Sequence, residues 1–111
     1  MIEETLRDIN LKDVKVKCEY NSRYAKVVAS VSRTLYDNFY IMQYGDYFLK
    51  LDEQSQRKVI QHEMAHIYDR RMNKRSSKHD KIFKDLCEGL YGDRILGSAT
   101  TKKLNLKFKG A

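Results

Sequence analysis

The spacing of hydrophobic positions changes three times along this chain, from helical to alternating, back to helical, and to alternating again over the last residues. Residues 2 to 9 place Ile2, Leu6 and Ile9 at helical spacing, which predicts a short N-terminal helix. From Val14 the period falls to two. Val14, Val16 and Cys18 alternate with Lys15, Lys17 and Glu19, the pattern of a half-buried strand with Cys18 on its core face. Asn21-Ser22-Arg23 reads as a turn. Tyr24 to Thr34 is β-branched and predicts a second strand with Val27, Ala29 and Val31 on one face. Asp37-Asn38 marks another turn. Phe39 to Tyr44 and Tyr47 to Leu51 read as two further strands separated by Gly45-Asp46. The first half is thus expected to be an antiparallel sheet behind a short helix.

The second half returns to the helical period. Asp52 suits the N-cap of a helix running to about Asn73. Measured from His62 at about 100° per residue, Ile60, Met64, Ile67 and Tyr68 cluster between about 140° and 240° and form the core stripe. Asn73 to Ser77 is a polar break. Ser77 and Asp80 resemble a capping box, with Asp in place of Glu or Gln. Ile82, Phe83, Leu86, Cys87 and Leu90 then give a second amphipathic helix with Gly92 at its C-cap. Thr100 to Lys109 alternates again and reads as an edge strand or a basic tail. The fold class is α+β, with the whole chain, 1–111, as one domain.

Composition narrows the setting. The chain has 111 residues, of which 41% are hydrophobic and 33% charged, so it can build one small core. No apolar run approaches the roughly 20 residues of a membrane span, and the first residues lack a signal-peptide pattern. Cys18 and Cys87 cannot form a disulfide scaffold, and the expected location is cytoplasmic. The formal charge of +7 favours anionic partners such as nucleic acid.

The chemistry lies in His62-Glu63-Met64-Ala65-His66, an HExxH sequence on the second-half helix. Two His at i and i+4 sit about 40° apart on one helix face and can reach one metal ion. Glu63 lies on the flank of that face. A zinc ion there lowers the pKa of a bound water towards about 7, and a carboxylate can take its proton. A chain of this length contains the motif by chance on the order of once in a few hundred. The His face also points away from the core stripe, as a site-bearing helix requires. The bland alternative is two surface His beside a salt-bridged Glu.

Catalytic zinc takes a third protein ligand. His79 is the one other His, 13 residues after His66. It is expected in the first turn of the second amphipathic helix, on the inward stripe with Phe83, Leu86 and Leu90. Its alternative is a polar N-terminal residue in solvent. Among carboxylates, Glu88 falls on the opposite side of that helix, and Asp80 and Asp85 point off the stripe. Asp69, three residues after His66, is either an acceptor that orients a ligand His or an exposed partner of Arg70 or Lys74. Cys87 reads as core. Asp69 and Met72 occupy the Gly and third-His positions of a metzincin, which excludes that pattern. A three-His metal-dependent ribonuclease uses a different His spacing. Tyr40, Tyr44, Tyr47, Tyr68 and Tyr91 are the available oxyanion donors, and Phe39 to Leu51 is the segment proposed to take an extended peptide by strand addition.

From Tyr40 to Leu90 the chain resembles the SprT-like (Spartan-type) family of HExxH zinc metalloproteases. The resemblance rests on a strand, Leu51-Asp52-Glu53 leading into the helix, the HEMAH motif, and Ser77-Lys78-His79-Asp80-Lys81-Ile82-Phe83, where a His opens the next helix with an aromatic four residues on. It implies a zincin-like, minigluzincin-type domain without a zinc ribbon. It also implies zinc on His62, His66 and His79, with Glu63 as catalytic base. The implied activity is zinc-dependent hydrolysis of peptide bonds, with DNA-bound proteins among the substrates. The competing reading is a zinc-stapled, non-catalytic module that binds nucleic acid or protein, docking through Lys102, Lys103, Lys107 and Lys109.

Overall fold

The computed structural model describes residues 2–25, 27–36, 38–98 and 104–110. Helix α1 spans Ile2–Asp8 and ends where Asn10 takes a left-handed conformation (φ 63°). Its Leu6, with Ile9 just beyond, is buried in the main core.

Three strands follow, β1 (Lys15–Tyr20), β2 (Ala29–Arg33) and β3 (Phe39–Tyr44). Their order is β1-β3-β2, with β1 parallel and β2 antiparallel to β3. The sheet is therefore mixed, not antiparallel as its sequence predicts. The reason is the link after β1. Asn21 to Val28 is too long for a tight hairpin and carries the chain across the end of the sheet. Tyr24 anchors that link, its hydroxyl sharing a hydrogen bond with Ser30 Oγ (2.7 Å) and donating to Gln43 Oε1 (3.1 Å). Gly45 makes room for it, since a Cβ there would lie 2.5 Å from the Tyr24 carbonyl oxygen.

The most apolar strand takes the centre, with Tyr40 and Met42 buried. The charged strand β1 takes an edge. Along β1 the cover runs out. Val14 is buried, Val16 half-buried and Cys18 exposed, so the core position expected for Cys18 is wrong. Strand β2 is shorter than predicted, and Val27 is exposed outside it. Asp37 of the predicted turn lies outside the described residues.

Tyr47 to Leu51 is not a strand. Helix α2 covers Asp46–Lys50, N-capped by Gly45, and Leu51 keeps one antiparallel bridge, to Phe108. Five residues are too few to separate a period of two from one of 3.6. As a helix, the segment puts Phe48 against Tyr44 (ring centroids 5.5 Å apart) and Tyr47 against Phe108 (5.2 Å).

Helix α3, Glu53–Asn73, has the predicted cap: the Asp52 carboxylate accepts from Ser55 N at 2.8 Å. Ile60, Met64 and Ile67 enter the main core with Val31, Tyr40 and Met42. Helix α4, Lys81–Tyr91, is N-capped by Asp80, which accepts from Phe83 N, and C-capped by Gly92 in the left-handed conformation (φ 70°). Ser77 with Asp80 is thus not the capping box. The helix starts later, and His79 precedes it. A 3-10 turn, Arg94–Gly97, packs on α4 so closely that a Cβ on Gly97 would meet Lys84 Cα at 2.8 Å. Phe83, Cys87, Leu96, Leu104 and Ala65 form a second cluster. Cys87 is core as expected, and burial pushes its thiol pKa up to about 12.

The end of the chain binds across the α2–α3 junction. Asp52 N donates to Lys107 O (2.8 Å), Lys109 N to Lys50 O (2.9 Å) and Lys107 N to Ser55 Oγ (2.7 Å). It is neither a strand of the sheet nor a free tail. Thr100 to Lys103, and so Lys102 and Lys103, lie outside the described residues.

Candidate metal centre

Helix α3 presents two faces. Opposite the core stripe, His62 and His66 stand one turn apart, with Glu63 between them in sequence. The segment from Lys74 to Asp80 turns back across the helix and delivers His79. The three Nε2 atoms converge: 2.9 Å between His62 and His79, 3.1 Å between His66 and His79, and 3.2 Å between His62 and His66. His62 and His66 are buried and His79 is exposed. The Phe83 ring lies under the cluster, stacked on His66 with centroids 4.2 Å apart and planes 11° apart.

The hydrogen bonds on the far side of two rings fix where their protons are. His62 Nδ1 lies 2.6 Å from Leu96 O. A carbonyl only accepts, so Nδ1 carries the proton and Nε2 carries a bare lone pair. His66 Nδ1 lies 2.7 Å from Ser77 Oγ, and that hydroxyl gives its own proton to Asp69 Oδ2 at 2.7 Å. Ser77 must therefore accept from His66 Nδ1–H, which leaves His66 Nε2 bare as well. Two lone pairs then face each other at 3.2 Å with no proton between them. That contact is repulsive unless a metal cation, or a proton carried by His79 Nε2, sits among the nitrogens. Metal–imidazole bonds of about 2.0–2.1 Å in tetrahedral geometry place ligand nitrogens about 3.3 Å apart. The observed triangle is close to that spacing, so the three His could bind a metal ion. Among the described residues no fourth protein ligand joins them.

The electrostatics agree. Burial pushes the His62 pKa down to about 4 against the opposing hydrogen bond to Leu96. Burial, with the neighbouring His and Arg70, pushes His66 down to about 3. His79 is also lowered, first by burial and then by Lys84. All three imidazoles are neutral at pH 7, the form that binds metal. Glu63 is 5% exposed, and burial raises its carboxyl to about 8 against the pull of Arg70. A nearby cation would reverse that direction.

Asp69 anchors the whole device. It is fully buried and accepts from Asn73 Nδ2 (2.6 Å), Arg75 Nη2 (2.9 Å) and Ser77 Oγ (2.7 Å). Burial alone would raise its pKa, but these bonds and the Arg75 charge hold it below the usual range. Arg75 also pairs with Asp80 at 2.8 Å, so one guanidinium ties α3 to the cap of α4 on either side of His79. Asp69 therefore orients a ring through Ser77, and its ion partner is Arg75 rather than Arg70 or Lys74. The other carboxylates stay outside. Asp85 and Glu88 face Arg94, and Asp80 caps α4.

A cleft of about 460 Å³ opens over the three nitrogens, lined by Val28 to Val31, His62, Glu63, His66, Arg70 and His79. None of Tyr40, Tyr44, Tyr47, Tyr68 and Tyr91 lines it, and the Tyr91 hydroxyl donates to Gln61 O. Among the described residues the cation lining the cleft is Arg70, which the sequence offers only as an ion partner for Asp69. Its position, four residues after His66 and seven after Glu63, puts it on the same helix face and could have marked it. Ser77 and the Leu96 carbonyl left no signal in the sequence. The strand beside the cleft is β2, an edge strand that pairs only with β3 among the described residues. β3 is hydrogen-bonded on both sides, so Phe39 to Leu51 is not available for strand addition. No helix among the described residues is long and apolar enough to cross a membrane. Comparison with protein-family models, with curated proteins and with solved structures gives no match to this chain.

Proposed function

We propose that the chain is a zinc-dependent endopeptidase of SprT-like type, with zinc on His62, His66 and His79 and Glu63 as general base. One observation carries the reading: three Nε2 atoms lie 2.9–3.2 Å apart, and two of them are held bare by protons fixed on the far side of the ring. Imidazole donors without thiolate suit zinc among several first-row metals. Bound there, zinc would polarise a scissile carbonyl and acidify water. Glu63, in the same cleft, takes up a proton and can return it to the leaving amine. Arg70 offers N–H donors to a carbonyl oxygen as negative charge develops on it. The outer edge of β2, unpaired among the described residues, can align an extended peptide through backbone hydrogen bonds. The net charge of +7 supports protein substrates that sit on nucleic acid.

The second reading is a zinc-stapled module that binds nucleic acid or protein without catalysis. It draws on the Asp69–Arg75–Asp80 clamp, which gives a metal at this junction a structural purpose. The open cleft above the nitrogens favours the first reading, because structural zinc sites are closed. Purified chain is expected to cleave an unfolded protein such as reduced casein. A chelator should abolish cleavage, and one equivalent of zinc should restore it. Cleavage that persists in the chelator would contradict the proposal.

A further inference from the structure

The cleft adjoins a second concavity of about 1190 Å³, the two sharing Arg70 in their linings. Two stretches of chain contribute to both, with Ser98, Leu104 and Leu106 added in the cleft and Tyr40 in the groove. Val27 to Val31 line the cleft, and Ser32 to Tyr36 line the groove. On the helix side His62, Glu63 and His66 line the cleft, and Arg71, Met72, Lys74, Arg75 and Ser76 line the groove, while Arg70 lines both. The two meet at Arg70, on the side of α3 that faces β2.

The groove end is cationic. Arg33, Arg70, Arg71, Lys74 and Arg75 line it, and no carboxylate among the described residues does. Arg71 pairs with Asp13, and Arg75 is held by Asp69 and Asp80. Arg33, Arg70 and Lys74 make no ion pair among the described residues. Three large apolar side chains stand exposed in the same lining: Leu35 at 100%, Tyr36 at 71% and Met72 at 52%. The turn that carries Leu35 and Tyr36 is held by Thr34, whose Oγ1 accepts from Tyr36 N and donates to Phe39 O.

We infer that this groove is a substrate subsite, and that it selects peptides with acidic residues beside an aromatic or aliphatic one on one side of the scissile bond. The inference rests on the endopeptidase reading for the cleft. Unpaired cations supply the charge complement to carboxylates. The exposed apolar side chains give an acidic peptide something to pack on, which a phosphate backbone alone would not use. An extended chain laid along β2 rises about 3.3 Å per residue, so the selected side chains lie a few residues along the peptide from the part over the cleft, where Val27 to Val31 give way to Ser32 to Tyr36.

The test measures binding, which needs no turnover. A fluorescent twelve-residue peptide with a Glu-Tyr-Asp-Glu cluster near one end is titrated into Glu63→Gln chain, beside the same peptide with Gln-Tyr-Asn-Gln. The acidic peptide is expected to bind about tenfold tighter. Arg33→Glu combined with Lys74→Glu, both exposed positions, should reduce it to the affinity of the amide peptide and leave the latter unchanged. Equal binding of the two peptides overturns the inference. So does a double variant that loses affinity for a single-stranded oligonucleotide while keeping the peptide preference. An acidic preference in a chain whose wild type cleaves nothing would support the groove and contradict the endopeptidase reading.

Discussion

Glu63→Gln should lower peptide hydrolysis by about 10²–10⁴-fold, the usual contribution of a positioned general base, while metal content stays at the wild-type level. The amide keeps the shape of the side chain and removes its ability to take a proton. The same variant should be more stable than wild type in the metal-free state, and the difference should depend on pH. The folded Glu63 carboxyl titrates near 8, above its ordinary value of 4.5. A raised pKa means the fold favours the neutral form. Wild-type stability from this group is thus full below about 4.5 and is lost as pH rises through 8. The glutamine carries no such loss. The gap should be near zero at acid pH and reach on the order of 2–4 kcal/mol above pH 8, about 10 °C or more in Tm for a domain of this size. Bound metal should narrow the gap, since a cation favours the carboxylate. Thermal melts from pH 4.5 to 9, with and without metal, read all of this. A flat difference across that range would contradict the buried, uncharged state of Glu63.

Asp69→Ala should damage both folding and metal affinity. The carboxylate is fully buried and accepts from Asn73, Arg75 and Ser77. Its removal leaves Arg75 with half of its ion pairing and breaks the tie between α3 and the segment that carries His79. Loss of one partner from a buried ion pair costs about 3–5 kcal/mol. The chemical effect is separate. Ser77 no longer has a carboxylate to receive its proton, so it can donate to His66 Nδ1. The His66 proton then moves to Nε2 and points into the cluster, where it blocks the ligand lone pair. Metal affinity should fall about 10–100-fold, as for other partners behind ligand His. Asp69→Asn, which retains an acceptor for Ser77, should recover part of the affinity. Denaturant titration measures the first effect, and competition with a metal indicator measures the second. Unchanged metal affinity in Asp69→Ala would remove Asp69 from the orienting chain.

How much of this was legible beforehand follows from the range of each interaction. The convergence of the three His was readable because one local rule, the i and i+4 spacing on a helix, brings His62 and His66 together, and no other His competed with His79. Helix α3 was readable from its Asp52 cap and the stripe of Ile60, Met64 and Ile67. The sheet was less so. Strand β3 matched its predicted residues, but nothing local says that β1 pairs with it in parallel or that β2 holds the edge beside the cleft. Those facts depend on the path from Asn21 to Val28. Residues 47 to 51 alternated over too short a stretch, and the helix was set by the Gly45 cap and by contacts to Tyr44 and Phe108. Ser77 and the Leu96 carbonyl are tertiary partners, and neither has a spacing that marks it.

The central claim is a metal ion held by three imidazoles, and metal content per chain tests it most directly. Wild type and His79→Ala are purified without added chelator and measured by elemental analysis. The account predicts about one zinc per wild-type chain and a sharp fall in His79→Ala, with both chains folded. His79 is exposed and precedes the cap of α4, so its loss should spare the core. A wild-type chain that stays metal-free after exposure to zinc would contradict the account. So would a variant that holds as much zinc as wild type.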